Sequence, residues 1–127
     1  MNILILGAGQ VGSTTAAQLT KEENNNVTVV DVDPEKLDKL ASKSDLRVIE
    51  GNASYPKTLK AAGADSADIL IAVTSSDEIN IVACQVASTL FNTQTKIARI
   101  RAAAYTDKPE LFRSEEHTSE LQSRETI

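Results

Sequence analysis

A short apolar run, Asn2–Leu6, leads directly into ILGAGQVGS, which sets Gly7, Gly9 and Gly12 at G-x-G-x-x-G spacing at the start of a helical pattern. Little else in the chain restricts its fold as tightly, because a strand must stop, turn sharply and enter a helix lying close against it. Gly7 permits the turn, Gly9 lets backbone approach a pyrophosphate drawn to the helix N-terminus, and Gly12 lets helix and sheet come close. Ala8, Gln10 and Val11 complete this candidate phosphate loop. Alone the pattern is weak, and a ligand-free strand–helix turn would satisfy it. Here an acid follows at the right place: Asp31 closes a second apolar run, 19 residues after Gly12. A carboxylate there would accept hydrogen bonds from ribose hydroxyls and repel a 2′-phosphate.

The rest of the chain repeats the alternation. Strands are expected at Asn2–Leu6, Val27–Asp31, Arg47–Glu50, Ile69–Val73 and Lys96–Arg101. Between them, helices are expected from Gln10 to about Glu22 with Val11 and Leu19 inward, from Pro34 with Leu37, Leu40 and Ala41 inward, and from Pro56 to about Ala62. Asp33 stands where it either caps the second helix or adds a second acid to the ribose site. The fourth helix has the clearest pattern. Ser75 and Glu78 read as a capping box, and Ile79, Val82, Ala83, Val86, Ala87 and Leu90 follow at helical spacing. Ile81, Cys84 and Phe91 widen its apolar face, which suggests contact with another subunit or with further chain. Glu110–Phe112 reads as the start of another helical turn. Strands alternating with helices through five cycles imply an α/β fold: a Rossmann-type, doubly wound parallel sheet with helices on both faces, here truncated after strand five.

Composition narrows the function. A net charge of −5 argues against a nucleic-acid partner held by general charge. A single Cys leaves no internal disulfide and suits a reducing cytoplasm. No apolar run approaches the roughly 18 residues of a membrane span, so membrane association is expected to come through a partner.

In the usual strand order, adenosine lies over strands two and three, the pyrophosphate at strand one, and any further group towards strands four and five. EGNAS places Asn52, Ala53 and Ser54 on the adenosine side, with a plain turn as the alternative. AVTSSDE ends strand four with Thr74 and Ser75, whose hydroxyls suit phosphate or ribose. Strand five then carries Arg99 and Arg101, two residues apart and hence on one face. Strands lie about 4.8 Å apart, so strand five is within reach of a ligand's extended phosphates. Two guanidinium groups suit a polyphosphate better than a neutral carboxamide. An exposed strand end paired with surface acids fits the spacing equally well.

No catalytic constellation is evident. Tyr105 has Lys108 three residues on rather than a Lys at four, and Tyr55 has Leu59 at that spacing. Cys84 has no His partner and reads as a small hydrophobe. No cluster has metal-ligand spacing. The competing function is a fragment of an NAD-dependent oxidoreductase that lacks its substrate domain.

The segment RSEEHTSELQSRETI, Arg113–Ile127, breaks the pattern. It is polar, contains the only His of the chain, His117, and reads as translated sequencing-adapter read-through joined to a natural sequence that ends near Phe112. A genuine solvated helix is the alternative. The expected organisation is a nucleotide-binding domain over 1–112 and a non-native tail over 113–127.

Five stretches together carry a resemblance: ILGAGQVGSTTAAQL, VTVVDVDPEKL, DLRVIEGNAS, AGADSADILIAVTSSDEINIVACQVA and KIARIR. They resemble the N-terminal nucleotide-binding domains, called KTN or RCK domains, of the regulatory subunits of bacterial Trk-type potassium uptake systems. The resemblance covers about residues 1–112. It implies a cytoplasmic, non-catalytic domain, peripheral on the inner face of the plasma membrane. It also implies a homo-oligomeric ring beneath a membrane-embedded potassium channel subunit, gated by NAD(H), ATP or ADP. By position it matches Gly7, Gly9 and Gly12 to the phosphate loop, Asp31 to ribose, and Asn52–Ser54 to the adenosine side. Thr74 matches the strand-four loop, and Arg99 and Arg101 the phosphate sensors. Everything after Phe112 departs from the family.

Overall fold

Alternate residues of the first strand enter opposite layers, and that alternation organises the molecule. In the computed structural model, which describes residues 1–112 and 119–122, β1 (Asn2–Leu6) sends Ile3 and Ile5 into one core and Leu4 and Leu6 into another. β2 (Asn26–Asp31), β3 (Arg47–Glu50), β4 (Ile69–Ala72) and β5 (Thr95–Arg99) join it in the order β3-β2-β1-β4-β5, every pair parallel. Helices α1 (Gln10–Leu19) and α2 (Pro34–Ala41) cover one face, where Ala16, Leu37 and Leu40 meet Ile3, Ile5, Val27, Val29 and Ile71. Helices α3 (Pro56–Ala61) and α4 (Asp77–Phe91) cover the other, where Leu59, Ala83, Cys84 and Ala87 meet Leu4, Leu6, Leu70, Ala72 and Ala98. The expected Rossmann-type doubly wound sheet is thus borne out, with β1 apolar from Ile3 to Leu6 and β4 apolar throughout because both faces are covered.

Several local expectations shift. Ala41 is exposed, and only Leu37 and Leu40 of the α2 stripe are buried. The cap of α4 is Ser76 rather than Ser75, with its Oγ accepting from the Ile79 N–H at 3.2 Å. The phase of α4 also differs. Val82 is 46% and Leu90 58% exposed, whereas Cys84 is buried and Ile81 and Phe91 pack against the core. The residues expected to widen an outer apolar face therefore turn inward. A helix apolar around most of its circumference cannot fix its own rotation, and the small residues Ala83, Ala87 and Ser88 decide it by letting the helix approach the sheet.

After β5 come a short helix, α5 (Ala103–Thr106), and a 3-10 turn at Pro109–Phe112, the latter where a helical turn was expected. The sheet then gains a strand beyond the expected five. β6 (Ser119–Gln122) lies parallel to β5, pairing Lys96 with Ser119 and Arg99 with Gln122. An uncovered strand edge offers unpaired backbone groups that accept a partner strand whatever its side chains, so a polar segment can extend the sheet. His117 lies outside the described residues.

At the opposite end from the glycine loop, Lys96 is fully buried and its Nζ donates to the Thr93 carbonyl. Thr93 itself donates to the Ala87 carbonyl, closing the end of α4 around the left-handed Asn92. A cation beside the carbonyl end of a helix is favoured by its dipole. Burial pushes the nearby Cys84 thiol from 9.0 up to about 12, although Lys96 pulls it down. Burial also lowers the Lys96 ammonium, with Cys84 opposing.

The two groups make opposite contributions to pH dependence. Above pH 9.0 the unfolded chain releases the thiol proton while the folded chain retains it up to about 12, so this group's contribution to stability falls with rising pH. The lowered Lys96 works the other way, because the unfolded chain then holds the extra proton. Urea titrations between about pH 8 and pH 11 should therefore show a shallower alkaline loss of stability in Cys84→Ala than in the parent chain. Equal slopes would contradict this assignment.

Candidate functional site

The strands end together on one edge of the sheet, and the loops leaving them enclose a cleft of about 540 Å³. Its wall includes Gly7, Gly9, Gln10 and Val11 after β1, Asp31 at the end of β2, Ala53 after β3, Thr74 after β4, Arg99 at the end of β5 and Arg101 just beyond it. Residues spread over most of the sequence thus converge as the order β3-β2-β1-β4-β5 requires.

The loop after β1 is shaped by close contact. Gly7 has φ +111°, a left-handed conformation suited to glycine. A Cβ on Gly12 would stand 1.8 Å from the Gly7 carbonyl oxygen, so α1 can begin here only with hydrogen at that position. The helix then starts at Gln10 behind Gly9, with no side-chain cap and no acid in its first turn. The other two long-range helices of the site differ. Asp33 caps α2 by accepting from Glu35 N–H at 2.9 Å, Ser76 caps α4, and both helices carry acids in the first turn. The α1 N-terminus alone among these three keeps its first N–H groups and positive dipole end open to the cleft.

Asp31 binds two loops together. Its Oδ2 accepts from Ala8 N–H at 2.7 Å and its Oδ1 from Asp33 N–H at 2.8 Å. Each carboxylate oxygen retains a free lone pair, so the group can still accept from hydroxyls. Beside it, Val32 is 65% exposed and Lys36 also lines the cleft. Neither was expected from sequence; a β2-end residue left apolar and exposed is the one signal that could have marked Val32.

At the far wall the hydrogen bonds of both guanidinium groups run, among the described residues, to backbone. Arg99 Nη2 donates to the Thr74 carbonyl at 3.2 Å and Arg101 Nη2 to the Ser75 carbonyl at 3.2 Å. The Arg99 Nε is buried and has no hydrogen-bond partner among the described residues. Burial and the neighbouring Arg101 pull the Arg99 guanidinium below its ordinary value, with Asp77 partly offsetting them. The Asp77 carboxylate is occupied with backbone, accepting from Arg101 N–H at 3.1 Å and Ala102 N–H at 2.7 Å. Among the described residues neither guanidinium forms the surface-acid ion pair that the spacing allowed.

Four expected site residues lie off the cleft wall. Ala8 is buried, with its N–H held by Asp31. Gly12 is buried against Gly7. Asn52 and Ser54 satisfy one another, Asn52 Oδ1 accepting from Ser54 N–H at 2.9 Å and Ser54 Oγ–H at 2.7 Å. They form the turn that presents Gly51 and Ala53 to the cleft. Sequence reasoning also missed Asn80, a fully buried residue in α4 that binds Thr74 and the Arg99 carbonyl.

The family model described as TrkA-N domain matches residues 3–115. A Trk system potassium uptake protein TrkA from Halomonas elongata is 55% identical over 115 residues, covering 91% of this chain and 25% of that protein. This chain therefore spans about a quarter of the length of such relatives. Among solved structures, the TrkA-N domain of the inner membrane protein ybaL from Escherichia coli has a TM-score of 0.73 at 21% identity, covering 81% of this chain and 75% of that one. The GsuK channel bound to NAD has a TM-score of 0.71 at 21% identity, over 87% of this chain and 20% of that one. These structures share the fold.

The contact beneath the glycine loop sets a direct test. Gly12→Ala must displace α1 or the loop, because backbone blocks the new methyl group, and it should cost about 3 kcal/mol in urea denaturation. A loss under about 0.5 kcal/mol, the range of an unconstrained surface change, would show that the helix does not rest on this contact.

Proposed function

Because this chain belongs to the TrkA-N domain family, we propose that it is the nucleotide-binding regulatory domain of a Trk-type potassium uptake subunit. It takes NAD(H) or ATP and ADP into the cleft at the sheet edge and converts the identity of the ligand into gating of a membrane-embedded potassium channel subunit. One observation carries this reading: an uncapped helix N-terminus stands between a carboxylate on one side and two guanidinium groups without ion pairs among the described residues on the other. A nucleotide presents the complementary order, with ribose hydroxyls to Asp31, a phosphate to the first turn of α1, and further phosphates towards Arg99 and Arg101. The exposed Val32 and the buried Ala53 offer apolar surface to a base.

The role is sensing rather than catalysis. Two cations beyond the phosphate loop suit a polyphosphate better than the carboxamide that a hydride-transfer enzyme must seat. A ligand gates by binding two conformations unequally, so ATP and ADP signal differently only if some group contacts the additional phosphate. Arg101 is exposed and its guanidinium is held, among the described residues, by a single carbonyl, which suits it to that role. Among the described residues no helix is long and apolar enough to cross a membrane, and the proposed place of action is the cytoplasmic membrane face, reached through the channel subunit. The exposed Val82 and Leu90 on α4 support contact with a second copy of the domain.

Calorimetric titration of ATP, ADP and NADH at fixed salt, into the parent chain and Arg101→Ala, tests the reading. Loss of one charge-assisted contact should weaken ATP about tenfold more than ADP. NADH binding best, with no effect of the substitution, would move the redox-linked alternative forward.

A further inference from the structure

Pairing between β4 and β5 stops at Ala72 and Ala98, yet the two chains remain joined beyond that point. The first turn of α4 makes the connection. Asn80 donates through Nδ2 to the Arg99 carbonyl at 2.9 Å and to the Thr74 carbonyl at 3.2 Å. Its Oδ1 accepts from Thr74 N–H at 3.0 Å and from Thr74 Oγ1–H at 2.6 Å. Three residues earlier, at the start of the same helix, Asp77 accepts from the N–H groups of Arg101 and Ala102. The Arg99 carbonyl and the Arg101 N–H belong to alternate residues of an extended segment and so lie along one edge. Two side chains of α4 therefore replace the strand that β4 no longer supplies.

Asn80 is fully buried in α4, whose other buried residues are Ala83, Cys84, Ala87 and Ser88. A buried amide in such a place is costly unless satisfied, and this one is satisfied on both its atoms. All four bonds run to the two backbone segments that carry Thr74 and Arg99 into the cleft. Arg99 Nη2 shares the Thr74 carbonyl with Asn80, so the side chain and main chain of Arg99 are both referenced to Thr74.

We propose that Asn80 is the positioning residue of the anion-binding wall: by bridging Thr74 and the Arg99 carbonyl it fixes where the Arg99 guanidinium stands in the cleft. The ligand-affinity consequence rests on the proposed nucleotide function, whereas the placement of Arg99 does not. A residue that merely filled space would set stability and nothing else. A positioning residue sets the affinity for phosphates and leaves the nucleoside end of the cleft alone.

The test uses this chain with Asn80→Ala and with Asn80→Asp, which keeps the shape and the acceptor but removes both donors and remains available should the alanine variant fail to fold. The first readout needs no ligand. The Arg99 Nε–H resonance, identified by its loss in Arg99→Lys, should be distinct and slowly exchanging in the parent and should shift and exchange faster in the variants. The second is calorimetry with ATP and with adenosine. ATP affinity should fall about tenfold while adenosine affinity stays within about twofold, as expected when one charge-assisted contact is misplaced. An unmoved Arg99 resonance in a folded variant, or equal losses for ATP and adenosine, would overturn the proposal. A parent chain that binds neither ligand, with the Arg99 resonance still displaced in the variants, would refute the nucleotide reading and uphold the positioning role.

Discussion

Everything at the sheet edge depends on how close α1 comes to the end of β1. The Gly12 Cα lies so near the Gly7 carbonyl that no larger residue fits between helix and loop. That approach lets the helix begin immediately after the strand, over the interior of a sheet in which β1 lies between β2 and β4. From there the Asp31 carboxylate draws the β1 loop and the β2 end together through two short bonds. The cleft is thus a consequence of backbone proximity first and of side-chain choice second.

Side chains then give the cleft a direction. The whole chain has a net charge of −5, yet its acids are placed unevenly around the site. Asp31 and Asp33 stand at the β2 end, while Arg99 and Arg101 stand at the β5 end. The acids there are matched to backbone: Asp33 caps α2, and Asp77 holds the main chain of Arg101 and Ala102. Among the described residues the guanidinium groups are bonded to carbonyls, with Asp77 only partly offsetting the charge around Arg99. An acidic end suits hydroxyl donors and a basic end suits anions, with the open N-terminus of α1 between them.

Much of this was legible because it rests on period and position. Alternation across doubly covered strands and the spacing from Gly12 to Asp31 placed β1, β2 and α1 with their loop. Arg99 and Arg101 were placed on one wall by the two-residue period of a strand. What escaped had no period to reveal it. Helix α4 is apolar on too many sides for its rotation to be read, so Cys84 and Phe91 turned inward where Val82 and Leu90 were expected. Ser75 and Ser76 are chemically equivalent caps, and only the backbone geometry selects Ser76. Asn80 looks like an ordinary polar residue until the gap between β4 and β5 explains what it bridges. Asn52 and Ser54 were expected at the ligand, and the turn in which Asn52 Oδ1 accepts from Ser54 has no period that would place them beside the cleft rather than in its wall. The sixth strand depends on backbone pairing at an open edge, to which side-chain pattern is a poor guide.

The proposed nucleotide contacts are the central claim, and the places where a ligand touches the chain can be mapped directly. Amide chemical shifts followed while ADP is titrated into the isotopically labelled chain would show this residue by residue. The account predicts that the perturbed amides fall at Gly9–Gly12, Asp31–Asp33, Gly51–Ala53, Thr74–Ser75 and Arg99–Arg101, with the α1 first turn moving most. Perturbations centred on the groove between α1 and α2, or confined to surfaces remote from the strand ends, would contradict it.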